Sequence, residues 1–273
     1  MSLASGHPLA RTAFRRGRRM QGKLPVARPR MATRMSSSQE TVPDTFEAAQ
    51  RLFFAHPSAA APVAGVAALS ACRLQCGPLT LLDLAVAAGV VAFWLVQEWV
   101  VHKWLLHSSF EWAGKEVHKS HHALPYFHVS IDPAWMILGA MALAGGAAWT
   151  AFGGGPLALT AAATYYSAGL LYEWLHFIVH TRWAPPPGPA FAWLRAVRRH
   201  HMLHHMRNED YWLSFSLPAV DLLFGTLPPT SAAVPLSDMA RRAHKAGGGA
   251  PDAAAGAAGG AAEVVAAAAA AAR

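Results

Sequence analysis

The sequence predicts an all-α protein: an integral membrane bundle of about four transmembrane helices, capped on one side by a helical, histidine-rich domain that holds two metals. Three observations predict it. Apolar residues make up 53% of the 273-residue chain and charged residues only 14%, which is far from the balance of an ordinary soluble surface. Several apolar runs approach or exceed the roughly twenty residues needed to cross a ~30 Å hydrocarbon core. Twelve of the fifteen histidines fall between His102 and His205, and they gather where those runs end.

The chain opens on a basic leader. Residues 1–39 contain eight arginines, one lysine and no acid, while the rest of the chain holds fourteen basic and fifteen acidic residues. The net charge of +8 therefore belongs to the leader, and it gives no reason to expect nucleic acid as a partner. An Arg-rich, Ser-containing, acid-free segment without an apolar core reads as an organelle transit peptide rather than a secretory signal. A plastid membrane is the expected location, with the endoplasmic reticulum as the alternative. Residues 40–236 form the expected catalytic domain and residues 237–273 a low-complexity Ala/Gly tail. Cys72 and Cys76 fit neither a CxxC motif nor a disulfide framework and read as structural.

Four segments are candidates to cross the membrane. Pro57 to Cys72 is apolar but short and rich in small residues. Leu79 to Val101 is broken only by Asp83 and Glu98. Pro133 to Phe152 leads through a GGGP turn into Pro156 to Val179, which ends in a histidine pair. If each segment crosses, every histidine group emerges on one side. Lys103, Lys115, Lys119, Arg182, Arg195, Arg198, Arg199 and Arg207 fall on that side and Arg73 opposite, so the positive-inside rule makes it cytosolic or stromal.

Ten histidines sort into four groups: His102 and His107 in HKWLLH; His118, His121 and His122 in HKSHH; His176 and His180 in HFIVH; His201, His204 and His205 in HMLHH. Residues three and four apart share a helical face, so the second and fourth groups project as triplets and the third as a pair. His102 and His107, five apart, diverge by about 140° on an ideal helix. Either they reach different ions or the helix is distorted there. One metal takes about four to six ligands, and imidazole suits iron, zinc, copper and nickel, so ten imidazoles imply two ions sharing a cage. His200 duplicates His201 and reads as a supporting residue; His128 stands outside every group.

The order HxxxxH, HxxHH, HxxxH, HxxHH resembles the fatty acid hydroxylase superfamily, which includes sterol desaturases and has carotenoid ring hydroxylases as relatives. QEWVVHKWLLH, LLYEWLHFIVHTRW and RRHHMLHHMRNEDYW followed by LFGTLP carry the likeness, from Glu98 to Pro228. The resemblance implies a dioxygen-dependent di-iron monooxygenase that hydroxylates or desaturates an unactivated C–H bond of a lipid taken from the bilayer. HFIVH, with three intervening residues, matches the acyl and sterol enzymes, whereas carotenoid enzymes typically show four. A fatty acyl chain is the expected substrate, with a carotenoid ring or a sterol as alternatives.

Imidazoles alone leave two metal charges uncompensated, so carboxylates should stand behind them. Glu98, one turn before His102, and Glu173, three before His176, are ionisable groups in apolar surroundings, where such groups are expensive and usually functional. Each is expected to accept an imidazole N–H and fix its orientation. Asp210 and Asp132 are weaker candidates. No serine or cysteine nucleophile motif is present. AHPS at Ala55 to Ser58 is not a haem-binding HPGG loop, so a separate donor, ferredoxin or cytochrome b5, is expected to supply electrons. A zinc-loaded form and a non-catalytic membrane metal protein are the competing readings. A metal carrier would place ligands near mid-membrane, unlike these groups at span ends.

Overall fold

A computed structural model of the chain describes residues 41–245. The leader and residues 246–273 of the tail lie outside the described residues. Every regular element described is helical: α1 (Phe46–Ala55), α2 (Pro57–Gln75), α3 (Leu81–Val101), a π-helical turn (His102–Leu106), α4 (Ala113–His122), α5 (Ala134–Ala151), α6 (Pro156–Val179), α7 (Ala192–Met206), α8 (Val220–Phe224) and α9 (Asp238–Lys245). Short 3₁₀ turns lie at Pro189–Phe191 and Ser231–Ala233.

Local chemistry sets the boundaries. Thr45 accepts from the Ala48 N–H to cap α1, and Pro57 and Pro156 occupy the first turns of α2 and α6, where a missing N–H costs nothing. Thr80 and Asp83 form a reciprocal capping box at the start of α3. The same Asp83 accepts from Arg73 Nε at 2.7 Å and Thr160 Oγ1 at 2.6 Å. One buried ion pair thereby ties α2, α3 and α6 together at the end of the bundle remote from the histidines.

Helix α6 is the centre of the bundle, packed by α2, α3 and α5. Its buried Ala158, Ala161 and Ala162 let neighbouring backbones approach closely. Tyr166 donates to the Met141 carbonyl at 2.7 Å, wedged where α2 and α5 meet. A Cβ at Gly145 would stand 2.6 Å from its hydroxyl, and one at Gly65 would stand 2.8 Å from Met141. Glycine at these two positions makes room for the wedge.

Of the four expected spans, length and composition support two or three. Among the described residues, two helices are long and apolar enough to cross a membrane: α3 continued through the π turn (Leu81–Leu106), and α5. A third arises if α1 and α2, bent by 77° at His56, act as one broken span. Helix α6 has the length, at 24 residues, but not the composition. It is packed among α2, α3 and α5 and carries Thr160, Thr164, Tyr165, Tyr172, Glu173 and His176. The outer helices show the converse, with Leu81, Leu84, Phe93, Leu138, Leu143 and Trp149 exposed.

At the histidine end, α1 and α7 pack against the last turns of α6 through Phe53, Phe177, Ile178, Val197 and Phe215. Asp238–Lys245, read from the sequence as part of the tail, form α9, which lies on α7. His244 Nε2 donates to the Met206 carbonyl at 2.9 Å, and Ser237 N to the Arg207 carbonyl at 3.0 Å. Arg195 and Arg198 donate to loop carbonyls: Arg195 to Pro186 and Gly188, Arg198 to Trp183 and Thr181. They fasten the proline-rich connection to α7.

Candidate metal centre

The ten histidines of the four groups converge at the ends of α3, α4, α6 and α7 and divide into two sets of five. One set is His102, His107, His118, His122 and His204; the other is His121, His176, His180, His201 and His205. Within each set, one nitrogen from every ring lies within 4.8 Å of the others.

The division follows helical geometry. Pairs four apart (His118/His122, His176/His180, His201/His205) stay together, while the middle residue of each HxxHH run, His121 or His204, crosses to the other set. His102 and His107 share a set because the helix is distorted. Residues 102–106 form a π turn closed by the His107 N–H to the His102 carbonyl at 3.1 Å, which aligns residues five apart. Of the two alternatives raised by the spacing, the structure takes the distortion.

The Nε2 atoms face one another. His118 lies 2.9 Å from His107 and 3.1 Å from His122, and His107 lies 3.2 Å from His204. In the second set His121 lies 3.0 Å from His205 and 3.1 Å from His176, and His180 lies 2.9 Å from His201. Ligands about 2.0–2.1 Å from a metal at right to tetrahedral angles are separated by about 2.9–3.4 Å, so these spacings match the edges of a coordination shell. The rings of His122 and His205, one from each set, stack at 4.0 Å, which places the two centres side by side.

Outer hydrogen bonds fix the tautomers. A carbonyl can only accept, so Nδ1 of His102 donates to Leu213 (2.6 Å), that of His180 to Tyr126 (2.7 Å) and that of His204 to Tyr211 (3.0 Å). Each Nε2 is left with a lone pair aimed at its centre, the arrangement that outer partners of metal-bound histidines impose. His102 Nε2 is buried with no hydrogen-bond partner, an orphan that a metal would satisfy. Burial holds His107, His118, His121, His122, His180, His201, His204 and His205 below the usual imidazole range, reinforced by repulsion among neighbouring rings. They are neutral and competent to ligate. The residues fit two metals.

The expected carboxylate partners need correction. Glu98 is buried, but it accepts from the backbone of Phe215 and of Ser216 (2.7 Å) rather than from an imidazole. It pins the loop after α7 whose Leu213 carbonyl holds His102. Asp210 is exposed and pairs with Lys103 at 2.7 Å. Glu173 accepts from the backbone N–H of Asp132 at 3.5 Å rather than from an imidazole; burial pushes the Asp132 carboxyl above the usual carboxylate range.

The spacing argument missed three supporting elements. His128 Nδ1 donates to the Pro125 carbonyl at 2.6 Å, so its Nε2 accepts from His121 Nδ1 at 2.8 Å. Asp221, fully buried, lies 2.7 Å from His200 Nε2 and accepts from Leu213 N (3.2 Å), Ser214 N (2.9 Å) and Thr226. Burial alone would raise its carboxyl; His200, Thr226 and the Ser214 backbone N–H together outweigh burial and lower it. An acid inside WLSFSLPAVDLLFGTLPP was a signal for it. Trp212, buried at a left-handed φ of 57°, separates the two carbonyls that hold His204 and His102, and nothing local announces that.

The family model described as fatty acid hydroxylase matches residues 86–226, just over half the chain. The chain belongs to the fatty acid hydroxylase family. The matched span begins inside α3 and ends at Thr226, so it contains all ten clustered histidines and Asp221. Comparison with curated proteins and with solved structures gives no match. A fatty acid hydroxylase family member with apolar outer helices and a histidine-rich cluster is a membrane protein of the hydroxylase and desaturase type.

Proposed function

We propose that this protein is a membrane-bound, dioxygen-dependent di-iron oxidoreductase that hydroxylates or desaturates an unactivated C–H bond of a lipid, with a fatty acyl chain as substrate. The division of ten neutral imidazoles into two adjacent sets of five carries the reading. Hydrolysis needs few ligands and an open water position, whereas two nitrogen-rich centres side by side suit redox chemistry. Bound iron would supply the reduction of dioxygen and the removal of hydrogen from carbon.

The chain's own residues do the rest. Leu213, Tyr126 and Tyr211 orient three ligands through their carbonyls, and His128 orients a fourth. Phe215 packs on the rings of His176 and His201 and walls the second centre with an apolar, water-excluding face. Glu173, held by the Asp132 backbone N–H, lies one helical turn before His176. The substrate arrives laterally from the membrane, and we place the protein in a plastid membrane, with a separate donor supplying electrons.

Lipid and pigment profiling by mass spectrometry tests this, in a host expressing residues 40–273 with ferredoxin and its reductase, against His121→Ala. A new acyl species heavier by one oxygen supports the hydroxylase, and one lighter by two hydrogens the desaturase. A modified carotenoid or sterol would reassign the substrate. Bound metal without any product would favour the non-catalytic reading.

A further inference from the structure

We propose that α8 dips into the lipid leaflet on the histidine side, where Leu222, Leu223 and Phe224 lie among acyl chains and anchor the loop that holds His102. The inner side of α8 belongs to the protein: Val220 and Asp221 are buried, and Val220 packs with Trp99 and Leu213. Its outer side is a run of three large apolar residues, all exposed, with Leu223 at 77%. Among the described residues, the other exposed large apolar side chains outside the two candidate spans stand singly along the chain. A grouped apolar patch marks an interaction surface.

The neighbour of α8 names the occupant. Phe224 stacks on Trp99 at 4.0 Å, and the exposed Trp104 meets Trp99 edge-on at 5.7 Å. Both tryptophans belong to the apolar segment Leu81–Leu106, which is long enough to cross a membrane. Trp99 lies about 10 Å inside the end of that segment at ~1.5 Å per residue, and apolar faces of interfacial helices sit about 5–10 Å deep. The outer side of α8 is thus continuous with the lipid-facing surface of α3.

The loop is built for that depth. Residues 211–236 contain one charged side chain, Asp221, and it is buried. The N–H groups of Val220, Asp221, Leu222 and Thr226 donate to the carbonyls of Leu217, Pro218, Ala219 and Asp221 at 2.9–3.3 Å. Trp99 Nε1 donates to Thr226 Oγ1 at 2.9 Å, and that hydroxyl donates to Asp221. Irregular backbone enters a bilayer only where its polar groups are met from within the protein. Asp221 accepts from the Leu213 N–H, and the Leu213 carbonyl holds His102, so two hydrogen bonds join the lipid contact to a metal-facing ring.

The test attaches an NBD fluorophore at Leu223→Cys in the full-length chain, with the exposed thiols removed as Cys72→Ala and Cys76→Ala, in phosphatidylcholine nanodiscs. The label sits on the outer side of α8, so it leaves the packing intact, and a label at Leu138→Cys on α5 is the reference inside the membrane. We expect the Leu223 label to emit to the blue, to lose most of its emission when the acyl chains are brominated, and to be spared by aqueous iodide. Bromines near the headgroup should quench it more than bromines near the chain ends. Quenching by iodide but not by brominated lipid would overturn the proposal and put α8 in water. Shielding from both quenchers would overturn it too, because a second protein copy would then cover the patch. A label at Leu222→Cys should give the same pair of responses, and iodide access there would equally overturn the proposal.

Discussion

His204 and His205 are adjacent in the chain and belong to different centres: Nε2 of His204 lies 3.2 Å from that of His107, and Nε2 of His205 lies 3.0 Å from that of His121. Neighbouring substitutions should therefore empty opposite sites. We expect His204→Ala and His205→Ala each to lose one of two metals, while the double variant loses both. Metal quantification with Mössbauer spectra of the iron-loaded singles checks this. Identical residual spectra in the two singles would remove the partition.

His128 should matter although it ligates nothing. It holds His121 in the tautomer that turns Nε2 inward, and removing such a partner typically lowers metal affinity by about 10- to 100-fold. His128→Ala is expected to weaken the centre containing His121 and to spare the one containing His102, measured by chelator competition. Equal weakening of both centres would mean a general loss of packing instead.

Asp221 accepts from two backbone N–H groups, a threonine and His200, all out of water. Breaking one side of a buried charged pair costs about 3–5 kcal/mol. Asp221→Ala should lower the unfolding midpoint in detergent markedly. Asp210→Ala, which breaks an exposed pair worth at most about 1 kcal/mol, should leave it nearly unchanged. A reversed order would contradict the burial of the two acids.

Acid should destabilise the metal-free protein. Unfolded imidazoles titrate near pH 6.5, and burial holds the caged ones below that. Between the folded and unfolded values the unfolded chain binds more protons, so stability rises with pH through this window and is fully present above about 6.5. Lowering the pH from 7.5 to 5 should steadily reduce the unfolding midpoint, and metal should be released over the same range. A midpoint indifferent to this change would show that the imidazoles are not buried in the neutral form.

The histidine spacing was enough to bring ten residues to one place, because i, i+3, i+4 periodicity is a local property of a helix. Partition between centres was not legible in it. That depends on how four helices meet, and on the π turn, which spacing left open. The carboxylates show the same limit. Glu98 and Glu173 stood out as acids in apolar surroundings, and both are buried; their partners, backbone N–H groups of Phe215, Ser216 and Asp132, are set by tertiary contacts. Span number shows a related limit, since length and composition support two or three spans and α6 is packed among α2, α3 and α5.

The π turn makes the interval between His102 and His107 a record of backbone winding. In space that pair does what His176 and His180 do with one residue fewer. An additional residue in the interval is thus absorbed by a wider coil, and both imidazoles still arrive at one ion. Motif length and coordination geometry are separable in this chain. Removing one residue from Lys103–Leu106 would return the turn to ordinary winding with both rings still on one side. The same loss inside His176–His180 has no such slack and would swing one ring away from its metal.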